Sequence, residues 1–411
     1  MIDQTEIYPL YLQHAENLPL VSFEGKRRPD VNGHIHTPHS FSAFKTMEQP
    51  FTMAVQEKVA VLGINDFYTT DGYPEFAALA LKYHIFPLFN IEFMALQAEE
   101  QRQGIRVNDP VNPGRTYLSG KGLRFPVGMS ESNHRKLATL QKESNRQTYN
   151  MVRKLNDYLL RIGSDLRFDA AGMQRKLARN LLRERHIAMA IRIEIMEKYS
   201  NEEEIRNCLV KIFNGKSPKS DSTQIAALEN EIRNNLLKAG GPAYVPEDEK
   251  AFLNLDEVTS LITDAGGIPC YPVLLDDAKG NFTDFEGDWE KMADLLIEKG
   301  IYMVELIPGR NDFGILKRFM DYFHQRGFVV GLGTEHNTPQ LDPLLVTCRG
   351  GVPLDEKMRN INFRSAAVVA GHQYQIAHNK PGFPVDHFPG ADELSDLEQL
   401  GSKLIAASTQ I

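Results

Sequence analysis

The residues with the most chemical potential are His34 and His36, in the run Gly33-His34-Ile35-His36. Two imidazoles two positions apart on a strand project from the same face, where both can grip one metal ion. Further short polar runs follow in order. They are Gly63-Ile64-Asn65-Asp66-Phe67-Tyr68-Thr69-Thr70-Asp71-Gly72, Ile91-Glu92, Ala265-Gly266-Gly267-Ile268-Pro269-Cys270-Tyr271-Pro272 and Gly333-Thr334-Glu335-His336-Asn337. Each stands at the C-terminal end of an apolar run.

The elements that must position these runs alternate in type. Residues 31–36, 60–65 and 85–93 read as strands. Residues 46–58 and 73–83 read as helices, the second with Pro74 in its first turn. Such βαβαβ text predicts parallel strands with helices outside. Residues 104–127, rich in Gly, Pro, Arg and Lys, read as a long ordered loop. Over 142–162, 169–199 and 223–239 apolar residues recur at helical spacing, with a polar linker at 214–222. Alternation then resumes. Helices are expected at 255–265, 288–299 and 313–325, strands at 267–273, 302–307 and 329–333, and a closing helix at 391–407. So β/α text surrounds a helical insertion, and in β/α architectures chemistry sits at the C-terminal strand ends.

Composition narrows the class. A chain of 411 residues permits one large domain or several ordinary ones, and 42% apolar with 24% charged residues is typical of a soluble globular protein. No apolar stretch is long enough for a membrane span, and the first residues lack the features of a signal peptide. Cys208, Cys270 and Cys348 are far apart and odd in number, which argues against a disulfide framework and makes the cytoplasm the expected compartment. The net charge of −8 is uneven: residues 131–192 hold 14 Lys/Arg against 6 Asp/Glu. An acidic body disfavours a nucleic-acid polymer as partner. The basic segment is either a local anion-facing surface or a set of solvated helix faces.

In this order the motifs resemble those of the polymerase and histidinol phosphatase (PHP) superfamily. Within it they are most similar to the single-domain metal-dependent phosphoesterases with a helical insertion. The family's His-x-His-Thr-x-x-Ser-Asp-Gly is matched by His34-Ile35-His36-Thr37-Pro38-His39-Ser40-Phe41-Ser42. Its Ile-Thr-Asp-His-Asp, followed by Gly, is matched by Ile64-Asn65-Asp66-Phe67-Tyr68 and Gly72. Its bridging Glu is matched by Glu92, and the Pro-His-Ile-Ala run of its insertion by Arg185-His186-Ile187-Ala188. Ala-Gly-Gly leading to Ala-His-Pro is matched by Ala265-Gly266-Gly267 leading to Cys270-Tyr271-Pro272, and Gly-Ser-Asp-x-His by Gly333-Thr334-Glu335-His336-Asn337. The resemblance spans 31–345. It implies an α/β fold, a distorted (β/α)7-type barrel over 31–127 and 249–411. A lead-in at 1–30 and a helical cap at 128–248 complete the chain. It also implies a cluster of up to three metal ions and phosphoester hydrolysis.

The departures from the pattern change the metal count. An acidic ligand of the family falls on Phe41, and two histidines fall on Phe67 and Tyr271. The histidine expected after Glu92 has no clear match, with Asn108 in its slot. What remains is His34, His36, Glu92, the Glu335/His336/Asn337 cluster and Asp66 as a weaker candidate. Two neutral imidazoles with carboxylates suit one divalent ion, Zn²⁺, Mn²⁺ or Fe²⁺, rather than three. An open position would hold a water of lowered pKa. Asp66 and His39 are the catalytic candidates. His39 is an extra imidazole that replaces a lost ligand, serves as general base, or sits as a solvated loop residue.

Cationic residues complete the picture. Asn112-Pro113-Gly114-Arg115 and Ser119-Gly120-Lys121-Gly122 offer glycine-freed backbone N–H groups plus the charges of Arg115 and Lys121. The spacing is not that of a Walker A loop. Arg183, Arg185 and His186 face the metal if the insertion caps the barrel, which the resemblance favours for His186, and Arg310 belongs to the same rim. The expected function is metal-dependent hydrolysis of a small phosphorylated or otherwise anionic metabolite. The alternatives are a catalytically degenerate relative that binds a ligand or partner, and a one-metal hydrolase or lyase of a carboxylated sugar.

Overall fold

The computed structural model describes residues 27–409, so most of the lead-in expected at 1–30 lies outside the described residues. Seven strands form one sheet in sequential order. β1 (Asp30–Ile35), β2 (Val59–Phe67) and β3 (Phe86–Leu96) run parallel. β4 (Arg115–Lys121) is antiparallel to both neighbours, β3 and β5 (Ile268–Val273). β5, β6 (Met303–Leu306) and β7 (Val329–Leu332) are again parallel. Helices α1 (Gln49–Glu57) and α2 (Tyr73–Tyr83) connect the first three strands. The last strand returns to the first: His36 N donates to Glu335 O at 2.7 Å, and Glu335 N donates to His34 O at 2.9 Å. The result is a mixed, nearly closed barrel-shaped sheet.

That closure needs glycine. A Cβ on Gly333 would stand 2.3 Å from His34 Cβ, and one on Gly63 2.3 Å from Gly33 O. Side chains there would force β1 away from its neighbours, and with it the histidine pair.

Between β4 and β5 the chain makes the helices α4 (Glu131–Arg161), α5 (Ala170–Leu177), α6 (Glu184–Lys198), α7 (Glu202–Ile212) and α8 (Ile225–Leu236), after a short α3 (Ala98–Gln103). They enclose their own apolar core, with Leu155, Ile187, Ile191, Leu209, Ile212 and Ile232 fully or almost fully buried. Burial of each such side chain contributes about 1.5–3 kcal/mol. α4 joins the two bodies: Leu137 and Leu140 pack in the barrel core, Met151 and Leu155 in that of the insertion. No helix among the described residues is long and apolar enough to cross a membrane.

Two local expectations are corrected. The loop expected at 104–127 contains a central strand, Arg115–Lys121, whose backbone pairs with β3 and β5. Its flanking glycines and prolines masked a short strand whose stability comes from pairing on both edges. The continuous helix expected over 169–199 is broken at 178–183. Side chains of α4 hold the break: Asn145 Oδ1 accepts from Leu182 N at 2.9 Å, and Thr148 Oγ1 donates to Leu182 O at 2.8 Å. These bonds satisfy backbone groups that a helix would otherwise have to satisfy. A further helix, Glu356–Ala377, is buried on most of its surface and so carries no amphipathic signal.

Candidate metal centre

The strand ends bring three donors together. His34 on β1, His36 just beyond it and Glu92 on β3 each offer a ligand atom, all within 4.8 Å of one another, and all three residues are buried. The period of two places both imidazoles inside the barrel, and the β2–β3 register brings Glu92 opposite Phe67 at the same level.

Hydrogen bonds fix how the imidazoles present themselves. His34 Nδ1 lies 3.0 Å from Glu305 Oε2, an acceptor, so Nδ1 carries the proton. His36 Nδ1 lies 3.1 Å from Ser40 Oγ, whose own proton goes to Asp66 Oδ1 at 2.7 Å, so this Nδ1 is also protonated. Both Nε2 atoms therefore carry lone pairs, and they face each other at 3.3 Å. Glu92 Oε2 stands 3.2 Å from His36 Nε2 and has no hydrogen-bond donor. Asn65 Nδ2 approaches His34 at 2.9 Å from Nε2 and 3.3 Å from Nδ1. An amide that near to both ring nitrogens cannot lie along the in-plane lone pair of either. Three ligand atoms thus converge, and none of them has a protein donor along its lone pair. That is an arrangement a divalent cation satisfies.

The electrostatics agree. Burial lowers the pKa of His36 against the pull of Asp66 and Glu335, which keeps the ring neutral and able to ligate. Burial pushes the Glu92 carboxyl up to about 8, the response of an anionic group enclosed without a cation. Burial acts upward on Glu305 too, but Lys121 and His34 outweigh it and hold its carboxyl far below the usual range.

The other sequence candidates are distributed unevenly around this centre. Glu335 lines the same cavity and is ion-paired with Arg310, which together with His34 and His36 outweighs burial and lowers its pKa. His336 is not brought in. Its Nδ1 meets Thr334 Oγ1 at 2.7 Å, its Nε2 meets Asp342 O at 2.8 Å, and its ring stacks on Phe44. Both nitrogens are committed to holding the loop after β7. Asp66 accepts from Thr37 N, Thr37 Oγ1 and Ser40 Oγ, so it anchors the turn after β1 and orients His36 through Ser40. His39 turns away from the cavity, with Nε2 3.5 Å from Arg179 Nη1 and its ring against Gly72.

The cavity over the centre has a volume of about 410 Å³. His36, Glu92, Glu305 and Glu335 line it from the barrel, and Arg183, Arg185 and Arg233 from the insertion. Arg183, at the helix break, stacks over Phe67 at 4.5 Å, and Arg185 over Phe41 at 5.7 Å. Burial, then Arg233, lowers Arg185 to about 10, so it remains a cation at neutral pH. His186 lies behind this wall. Its Nδ1 caps α6 by accepting from Arg183 N at 3.0 Å, its ring meets the edge of Phe41, and burial lowers its pKa to about 3. The phenylalanines that replace expected ligands are thus platforms for arginines. Tyr271 donates to the buried Glu286 Oε1 at 3.1 Å and does not line the cavity. Asn108 lines the cavity while its amide ties Tyr117 to Pro272.

The anion loop expected around Arg115 and Lys121 is corrected. Its backbone belongs to β4, and the strand period turns Tyr117, Ser119 and Lys121 inward. Lys121 is buried, donating to Glu305 Oε2 at 2.6 Å and Asn65 Oδ1 at 3.2 Å. Arg115 pairs with Glu247 and lines an adjoining cavity of about 650 Å³, which shares Arg183 and Arg233 with the first. Glu305 is the residue that sequence reasoning passed over. A lone carboxylate inside the apolar run 302–307 was the available signal, because a buried charge needs a partner or a purpose.

No protein-family model matches the chain, and no curated protein matches it. Solved structures do. The fold is similar to that of a candidate metal-dependent phosphoesterase from Bifidobacterium adolescentis, with a TM-score of 0.50 and 16% identity, over 81% of this chain and 96% of that one. An amidohydrolase from Chromobacterium violaceum, solved with bound sulfate and no metal, aligns with a TM-score of 0.47 and 16% identity, over 81% of this chain and 96% of that one. At such identities the likeness concerns the fold alone.

Proposed function

We propose that the protein is a hydrolase of small phosphate esters that works with one divalent metal ion. The observation that carries this reading is the convergence of His34 Nε2, His36 Nε2 and Glu92 Oε2, three buried acceptors, with the Nδ1 atoms of both imidazoles committed elsewhere, beside a cavity that His36 and Glu92 line. The resemblance to the PHP phosphoesterases supports the same reaction class. When bound, the ion supplies Lewis acidity and a water of lowered pKa.

The chain's own residues account for the rest. Arg183, Arg185 and Arg310 stand on the cavity wall opposite or beside the acidic floor, so an anionic group is drawn to the insertion side. Phe41 and Phe67 flatten the arginines against apolar faces and keep water off that wall. Glu305 fixes the tautomer of His34, and Asp66 that of His36 by way of Ser40.

The test is a phosphoester panel run with Mn²⁺ and Zn²⁺ on the wild type and on His36→Ala. Metal-dependent turnover that vanishes in the variant is expected. Equal rates would end the metal-hydrolase reading. A ligand-binding role without turnover has one observation in its favour: aromatic rings occupy three positions where the resemblance calls for ligands, Phe41, Phe67 and Tyr271. A ligand-induced thermal shift with no turnover across the panel would select it.

A further inference from the structure

Glu305 divides its carboxylate between two environments. Oε2 accepts from Lys121 Nζ at 2.6 Å and from His34 Nδ1 at 3.0 Å. Oε1 is buried and has no hydrogen-bond partner, and the residue lines the cavity with His36 and Glu92. Glu305 is not part of the convergent group of His34, His36 and Glu92. Its free oxygen therefore stands beside the metal centre rather than in it. A buried anionic oxygen without a donor is costly until a ligand supplies one.

The surroundings restrict what that ligand group is. An ionised carboxylate only accepts, so phosphate and carbonyl oxygens are excluded as partners. Lys121 already balances the charge, so a neutral donor suffices and a second cation is not required. The phosphate has its own partners in Arg183, Arg185 and Arg310 on the same cavity. A hydroxyl close to the ester is the group that fits between them.

We propose that Glu305 Oε1 accepts a hydrogen bond from a substrate hydroxyl on the carbon next to the ester carbon. The ligand class is then a phosphate ester of a polyhydroxylated alcohol, not of a simple alkyl or aryl alcohol. The placing of the phosphate rests on the hydrolase reading above; the hydroxyl site rests on Glu305 itself.

Two variants separate this from a structural role. In Glu305→Gln, Lys121 and His34 both donate, so they hold the amide carbonyl and turn the NH₂ into the cavity. An acceptor becomes a donor with little change of shape. In Glu305→Asp the charge stays but the oxygen withdraws by one methylene.

The experiment is calorimetric titration of the Mn²⁺-loaded protein with a dihydroxybutyl phosphonate and with butyl phosphonate, neither of which can be hydrolysed. The wild type is expected to bind the diol roughly ten- to a hundredfold tighter, the range of a hydrogen bond to a charged acceptor. Because Glu305 also holds His34, the readout in each variant is the ratio of the two affinities measured on the same metal-loaded protein, and that ratio is expected to fall to about one in both. Elemental analysis in parallel shows whether each variant keeps its metal. Equal wild-type affinities for the two phosphonates overturn the inference, as does a preference retained in both variants. If Glu305→Gln does not fold, the wild-type pair and Glu305→Asp decide. Binding of neither phosphonate, with turnover in the phosphoester panel, removes the hydroxyl site and leaves the hydrolase reading standing. A diol preference without turnover does the reverse.

Discussion

Arg183 of the insertion lies 4.5 Å over the ring of Phe67, and that ring stands 6.3 Å from His36 at an interplanar angle of 21°. One aromatic side chain thus links the basic wall of the cavity to the candidate metal site at its floor. Arg183→Ala is expected to raise KM for a phosphoester roughly tenfold or more, with a smaller effect on kcat, if the arginine holds the anion equally in ground and transition states. Arg183→Lys should recover little, because an ammonium lacks the planar face that stacks on Phe67. Steady-state kinetics on the three proteins test this, and unchanged KM and kcat in Arg183→Ala would remove the residue from the site.

Metal content gives a second prediction. Titration with Mn²⁺ or Zn²⁺ is expected to show one tight ion per chain, lost in His36→Ala. Ser40→Ala keeps every donor but frees the Nδ1 that Ser40 fixes, so affinity should fall by about 10–100-fold. Three ions per chain by elemental analysis would contradict the reading of Phe41, Phe67 and Tyr271 as lost ligands.

Lys121 and Glu305 form a buried ion pair at 2.6 Å, each about 3% exposed. Lys121→Met leaves Glu305 enclosed without its main counter-charge and should destabilise the fold by about 3–5 kcal/mol. The double variant Lys121→Met/Glu305→Gln should recover part of that loss. Urea unfolding of the four proteins of the cycle measures the coupling, and strict additivity would show that the pair does not interact.

Stability should also depend on pH through a residue remote from the site. His372 is buried, with Nε2 donating to Gly266 O at 2.7 Å and Nδ1 accepting from Phe383 N at 2.9 Å. Burial lowers its pKa to about 4, from 6.5 when unfolded. The unfolded chain therefore binds the extra proton between these values. The contribution of the neutral ring is complete above pH 6.5 and is lost as pH falls toward about 4, amounting to about 3 kcal/mol at most. Denaturant unfolding of the wild type and His372→Gln at pH 5 and pH 7 is the check. A wild-type stability that rises on acidification, with no difference in slope from the variant, would sink it.

Much of the site was legible because local rules place it. The two-residue spacing of His34 and His36 puts both on one strand face, and Glu92 ends an apolar run long enough to be the third strand. The same alternation of strand and helix, together with the motif order, implied the barrel. Local rules could not reveal β4, because glycine and proline crowd both its ends and only pairing with β3 and β5 makes it a strand. With β4 unseen, Lys121 read as a surface anion ligand rather than the internal partner of Glu305.

What the sequence by itself determined is the set of donors and their order along the chain. Which of them meet was decided by tertiary structure. His336 follows Glu335 directly, yet Thr334 and Asp342 O claim its nitrogens while Glu335 faces the cavity. Arg183 reaches the cavity wall because Asn145 and Thr148, more than thirty residues earlier, hold a break in the helix that its own sequence would continue. Hydrogen-bond partners so distant in sequence leave no periodic trace, since each is fixed by the closure of the barrel and the packing of α4 against it.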